Sequence, residues 1–236
     1  MTLAENLSRV QQRIADACLA AGRDPDEVRL LPVSKTWPPD HVRRVADLGL
    51  AMMAENRVQE AKRKAHLLAD AGLRWSMIGH VQTNKAKDVI AFADEVQSLD
   101  SLRLAQEFQR RLEASNGLRN SGRPLPVYLQ VNTSGEPSKF GVRPDETLAA
   151  ARELVALDQL RPVGLMTIAA QDPSRARECF RTLRTLRDQL VADPVAAEAG
   201  EWAELSMGMS GDLEDAIAEG STVVRIGRAI FGDRLE

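Results

Sequence analysis

Two periods of hydrophobic and polar residues alternate along this chain. Over 3–21, Leu3, Leu7, Val10, Ile14 and Ala17 recur at helical spacing, which predicts an amphipathic helix stopped at Gly22. Beyond it, short apolar runs alternate with charged stretches of helical period. Four runs fall at 29–34 (RLLPVS), 50–54 (LAMMA), 74–79 (RWSMIG) and 94–99 (DEVQSL). Four more fall at 126–132 (PVYLQVN), 161–168 (RPVGLMTI), 204–208 (ELSMG) and 222–227 (TVVRIG). Between them, 101–115 and 145–157 read as helices. The clearest is 174–192, where Phe180, Leu183, Leu186 and Leu190 share a face.

Strands that alternate with helices predict a parallel sheet. Eight such units in 236 residues predict an α/β fold, a single (β/α)8 TIM barrel with an extra N-terminal helix. A doubly wound open sheet is the rival, but no GxGxxG follows the first strand. No linker-like shift in composition, repeat or low-complexity segment divides the chain, and 116–126 (NGLRNSGRPLP) reads as one long loop. The expectation is one domain over 1–236.

Charge and composition narrow the function. Lys plus Arg number 31 against 34 Asp plus Glu, so the chain lacks the basic excess that drives phosphate-backbone binding, and no nucleic-acid partner is expected. Cys18 and Cys179 lie far apart within helical patterns and read as buried small hydrophobes. The N-terminus, MTLAENLSRVQQR, has no apolar run of a signal peptide. The longest strongly apolar run, LGLAMMA at 48–54, is far short of the roughly 18 residues of a membrane span. A cytoplasmic protein without a membrane partner is predicted. His41, His66 and His80 have no His or Cys partner at metal-ligand spacing. Gly227 and Gly232 have the spacing of a phosphate loop but continue into Asp233-Arg234. GMSGD at 208–212 has Asp212 where a nucleophile elbow has its last glycine.

In a barrel, functional groups gather at the C-terminal strand ends. Lys35 closes the first run on the face of Leu31 and Val33. It either snorkels to water or, held at an apolar mouth, serves as an amine nucleophile able to form a Schiff base. Arg225 interrupts the last run on the face of Val223 and Gly227. A guanidinium buried there needs a partner with lone pairs or negative charge, and a structural salt bridge is one solution. Ser210 precedes GDLEDAIAEG and either caps that helix or joins its N–H groups in binding a phosphate. Gly227, after strand eight, lets a backbone approach a ligand. Together these groups describe a lysine aldimine of pyridoxal 5'-phosphate (PLP) with a ring-nitrogen partner and a phosphate cradle. The basic clusters Lys62-Arg63-Lys64 and Lys85/Lys87 read as solvated helix faces.

The segments VSKTWP at 33–38, ENRVQE at 55–60 and WSMIGHVQTNK at 75–85 resemble the pyridoxal phosphate homeostasis protein family (YggS/PROSC type). So do VNTSGEPSKFG at 131–141, GLMTI at 164–168, LSMGMSGD at 205–212, AIAEGST at 216–222 and VRIGRAIFG at 224–232. The resemblance implies an alanine-racemase-like barrel in which Lys35 carries PLP. Ser210 and the backbone around Gly227 would hold the phosphate, Arg225 would face the pyridine nitrogen, and Asn56 and His80 would contact the ring side. Where the family reads FGEN followed by an aromatic, this chain has Met53, Ala54 and Arg57 around Glu55-Asn56, a change expected to alter packing beside the cofactor.

Related racemases add a β-rich C-terminal domain that supplies a catalytic tyrosine. This chain ends soon after strand eight, so the expectation is that this domain is lacking. Its single tyrosine, Tyr128, is expected to pack within the fifth strand or face the helices. The resulting reading is a monomeric carrier that buffers PLP or delivers it to apo PLP-dependent enzymes, without efficient catalysis. A weak PLP-dependent amino-acid racemase or lyase is the alternative.

Overall fold

A computed structural model describes residues 2–115 and 123–232, and most of the loop predicted at 116–126 lies outside them. The eight strands are β1 (Arg29–Pro32), β2 (Met52–Glu55), β3 (Arg74–Met77), β4 (Glu95–Leu99), β5 (Leu125–Gln130), β6 (Leu160–Met166), β7 (Glu204–Ser206) and β8 (Val223–Ile226). All pair in parallel, in the order β1-β8-β7-β6-β5-β4-β3-β2. A bridge between Val33 and Ala54, beside the Ser34 N–H to Ala54 carbonyl bond, brings β1 back against β2 and closes the cylinder.

The helices are α1 (Leu3–Ala20), α2 (Pro39–Ala46), α3 (Val58–Leu67), α4 (Ala86–Ile90), α5 (Leu102–Ala114), α6 (Thr147–Leu154), α7 (Pro173–Ala192), α8 (Ala196–Ala199), α9 (Leu213–Ala218) and α10 (Arg228–Phe231). The predicted N-terminal helix is α1. Thr2 and Glu5 form a capping box that satisfies its first N–H groups, and Leu7, Val10, Ile14, Ala17 and Cys18 make its buried stripe. That stripe packs on α9 and α10, so α1 leans on the two helices that follow β7 and β8. Cys18 and Cys179 are both buried free thiols, as their helical patterns suggest. Among the described residues no helix is long and apolar enough to cross a membrane.

Alternation sorts each strand between two cores. Val127, Leu129 and Val131 face outward and pack with Phe108 and Leu154 of the helical layer. Leu31, Val33, Ala54, Ile78 and Val223 form an apolar patch inside the barrel. Of the two placements expected for Tyr128, packing from the fifth strand is the one found, with the phenol pointing away from the helices into the barrel. Its phenol donates to Glu204 and accepts from Arg29, near the N-terminal ends of the strands. Burial would weaken the charge of Arg29, but Glu95, Tyr128 and Glu204 outweigh it and raise its pKa. The interior is therefore polar at the end opposite Lys35, which is what draws the phenol inward.

Candidate functional site

Lys35 sits in the turn between β1 and α2. Its side chain is exposed, with no hydrogen bond or ion pair among the described residues. The next residue, Thr36, has φ 70°, a left-handed conformation that costs a β-branched residue about 1–3 kcal/mol. Its N–H donates to Glu60 Oε1 at 2.7 Å. On the other side of Lys35, Ser34 Oγ donates to Glu55 Oε1 at 2.7 Å. Lys64 Nζ lies behind this turn and reaches the Ser34 carbonyl at 2.7 Å, Glu55 Oε1 at 2.6 Å and Glu60 Oε1 at 2.8 Å. Lys64 was expected on a solvated basic face, yet it is only 3% exposed, because two carboxylates and a carbonyl meet it there. Burial pushes the Glu55 carboxyl above its usual range, against the pull of Lys64.

Arg225 enters the barrel from β8 and is 4% exposed. It donates from Nη1 to Ser206 Oγ and from Nη2 to the Thr167 carbonyl, both at 2.8 Å. Neither acceptor is charged, and Arg225 makes no ion pair among the described residues. The salt bridge that sequence reasoning allowed is thus replaced by neutral acceptors. Burial lowers the guanidinium to about 10, so it remains charged at neutral pH.

The Ser210 turn differs from expectation. The following helix, α9, begins at Leu213 with Asp212 at its N-cap position, so Ser210 is not the cap. Asp212 instead takes the Met209 N–H on Oδ1 at 2.6 Å and folds the turn back on itself. From α1, Arg13 donates to the Ser210 carbonyl at 3.2 and 3.3 Å while pairing with Glu214 at 2.7 Å. Gly208 opens the turn with φ +94°, and a Cβ there would stand 2.6 Å from Ala216 Cβ. Sequence reasoning placed Gly208 at this strand end but missed Arg13, Asp212 and Lys64 as parts of the mouth. Asp212 was legible as a turn residue, whereas Arg13 is distant in the chain.

These pieces surround a cavity of about 320 Å³ at the C-terminal mouth. Lys35, Asn56, Ser210, Arg225 and Gly227 all line it, and Trp37, Ile78 and Ile168 add apolar wall. Asn56 packs so closely on Gly79 that a Cβ at Gly79 would stand 2.1 Å from the Asn56 carbonyl oxygen. Gly227 abuts β1, where a Cβ would stand 3.1 Å from the Val33 carbonyl oxygen. His80 stands outside the lining. Its Nδ1 lies 2.6 Å from Asp100 Oδ2, and its ring stacks on Phe140 with centroids 3.7 Å apart. Met53 packs outward under the helices, Ala54 packs inside the barrel, and Arg57 precedes α3; none of the three lines the cavity.

A closed parallel barrel with a lysine and a buried arginine at its mouth defines a class that the comparisons specify. Residues 2–235 match the family model of the alanine racemase N-terminal domain. The pyridoxal phosphate homeostasis proteins of Aquifex aeolicus and Pseudomonas aeruginosa are 41% and 44% identical, and each alignment covers 99% of this chain. It covers 99% and 96% of those two proteins, respectively. PipY of Synechococcus elongatus, solved with PLP bound, is 33% identical with a TM-score of 0.78, over 93% of this chain and all of that one. An alanine racemase of Clostridium difficile, 17% identical with a TM-score of 0.66, shares the fold over 96% of this chain and 56% of its own. The chain belongs to the pyridoxal phosphate homeostasis protein family.

Proposed function

We propose that this chain holds PLP reversibly on Lys35, and so buffers or delivers the cofactor in the cytoplasm rather than turning over amino acids. Arg225 carries the reading. It is a buried cation with only neutral partners, and it lines the cavity that also holds the free Lys35 amine. PLP, when bound, would supply an electrophilic aldehyde within reach of a primary amine. The cavity volume falls within the roughly 300–1,000 Å³ of small-molecule sites, so the lining fits a group of this kind.

Lys35 Nζ supplies the amine. Arg225 would face the pyridine nitrogen, where its fixed charge would disfavour a proton, weaken the ring as an electron sink and favour holding over catalysis. The Ser210 hydroxyl and the backbone at Gly227 would hold the phosphate, and Asn56 would border the ring. His80, expected at the ring side, stands outside the lining and is held by Asp100 and Phe140. The Tyr128 phenol is bound to Arg29 and Glu204, and burial pushes its pKa far up, so it serves the barrel interior rather than the cavity. In this role the protein acts as a monomer that passes PLP to apo PLP-dependent enzymes.

The test is to titrate the purified protein with PLP and follow the absorbance of the bound form. The wild type should yellow and become fixed by borohydride, and Lys35→Ala should do neither. Faster reconstitution of apo-enzymes from the loaded protein than from free PLP would support delivery. Amino-acid turnover at the rate of a dedicated racemase would overturn the carrier reading. Sedimentation checks the monomer.

A further inference from the structure

Lys64 has no place in the PLP contacts above, yet it is among the most deeply buried charges near the mouth. An ammonium has three N–H donors and no acceptor, and all three are engaged, by Ser34, Glu55 and Glu60. It has nothing left to offer a ligand. What it does hold is the chain on either side of Lys35. The Ser34 carbonyl binds Lys64 directly, and the Ser34 hydroxyl shares Glu55 Oε1 with it. The Thr36 N–H shares Glu60 Oε1 with it, at the strained peptide that follows Lys35. One cation from α3 thus ties β1, the end of β2 and the lysine turn together, while the Lys35 side chain stays free.

We propose that Lys64, through Glu55 and Glu60, is the positioning residue for Lys35: it fixes the left-handed turn at Thr36 and so the path by which the Lys35 amine enters the cavity. The proposal rests on the reading of Lys35 as the PLP-bearing amine. Without the tie, Thr36 relaxes from its costly conformation and the amine samples positions outside the cavity. Loose positioning of a nucleophile slows its reaction far more than it changes the fold.

Glu60 is the accessible end of this device, since it caps the Thr36 N–H from a half-buried position on α3. Stopped-flow absorbance on mixing with PLP reads the rate of covalent capture, and circular dichroism and thermal melting report the fold. Glu60→Ala and Lys64→Met should slow capture by roughly ten-fold or more with an unchanged dichroism spectrum. Glu60→Gln keeps an acceptor oxygen for Thr36 and should stay within about three-fold of wild type. A purely structural role predicts lower melting temperatures with wild-type capture at 25 °C, and that result in Glu60→Ala overturns the proposal. Lys35→Ala is run beside them. If the wild type itself captures nothing, the reading of Lys35 fails; if wild type captures, Lys35→Ala does not and Glu60→Ala matches wild type, only the positioning role fails.

Discussion

Arg225 Nη1 donates to Ser206 Oγ over 2.8 Å, and both side chains are buried. The Ser206 hydroxyl in turn donates to Gln97 Oε1 at 2.6 Å, and the Gln97 amide donates to Glu95 Oε1 at 2.7 Å. Glu95 also takes Ser76 at 2.7 Å and pairs with Arg29 at 3.1 Å. A continuous hydrogen-bonded chain therefore crosses the barrel from its N-terminal end to the cavity. Ser206→Ala breaks it in the middle, leaving a guanidinium N–H and an amide oxygen without partners. The expected loss is about 1–3 kcal/mol in urea unfolding, and a loss under about 0.5 kcal/mol would contradict this linkage.

If the Arg225 charge keeps the pyridine nitrogen unprotonated, Arg225→Gln lets that nitrogen take a proton. The pH profile of the bound-PLP absorbance should then shift relative to wild type. An unchanged profile in a variant that still binds PLP would remove the ring-nitrogen role.

Gly208 holds the Ser210 turn in a conformation that no side chain fits. Gly208→Ala meets a left-handed backbone and an Ala216 contact at 2.6 Å together. It should cost about 2 kcal/mol or more and weaken PLP retention. Wild-type stability would show that the turn yields freely.

Asp193 offers a pH test far from the mouth. The Arg152 guanidinium, followed by the Ala196 N–H, holds its carboxyl down to about 2, from an ordinary value of 3.8. A depressed carboxyl stabilises the fold above the unfolded value and loses that contribution as pH falls through the folded one. The stability gap between wild type and Asp193→Asn should therefore be full near pH 5 and close between about pH 4 and 2, read by urea unfolding at each pH. A gap independent of pH would contradict the pairing.

The barrel was legible because each strand is a short apolar run with charged helix between, and all eight fall where the pattern puts them. Lys35, Arg225, Ser210 and Gly227 were legible because each is a polar residue or glycine at a strand's C-terminal end, where a barrel places its site. Lys64 was not. On helix α3 it stands among Lys62 and Arg63, and only the fold brings Glu55 and the Ser34 carbonyl onto it. The partners of the Tyr128 phenol were hidden for a similar reason: Arg29 and Glu204 come from strands far away in sequence. Arg13 lies almost two hundred residues before the Ser210 carbonyl it holds, and no local period announces such a contact.

The proposed carrier role requires that Lys35, and no other lysine, capture PLP. It is tested most directly by reducing the PLP-loaded protein with borohydride and locating the added mass by peptide mass spectrometry. At stoichiometric PLP the modification should fall on the peptide that contains Lys35 and be lost in Lys35→Ala. A stoichiometric modification on another lysine, or none at all, would contradict it.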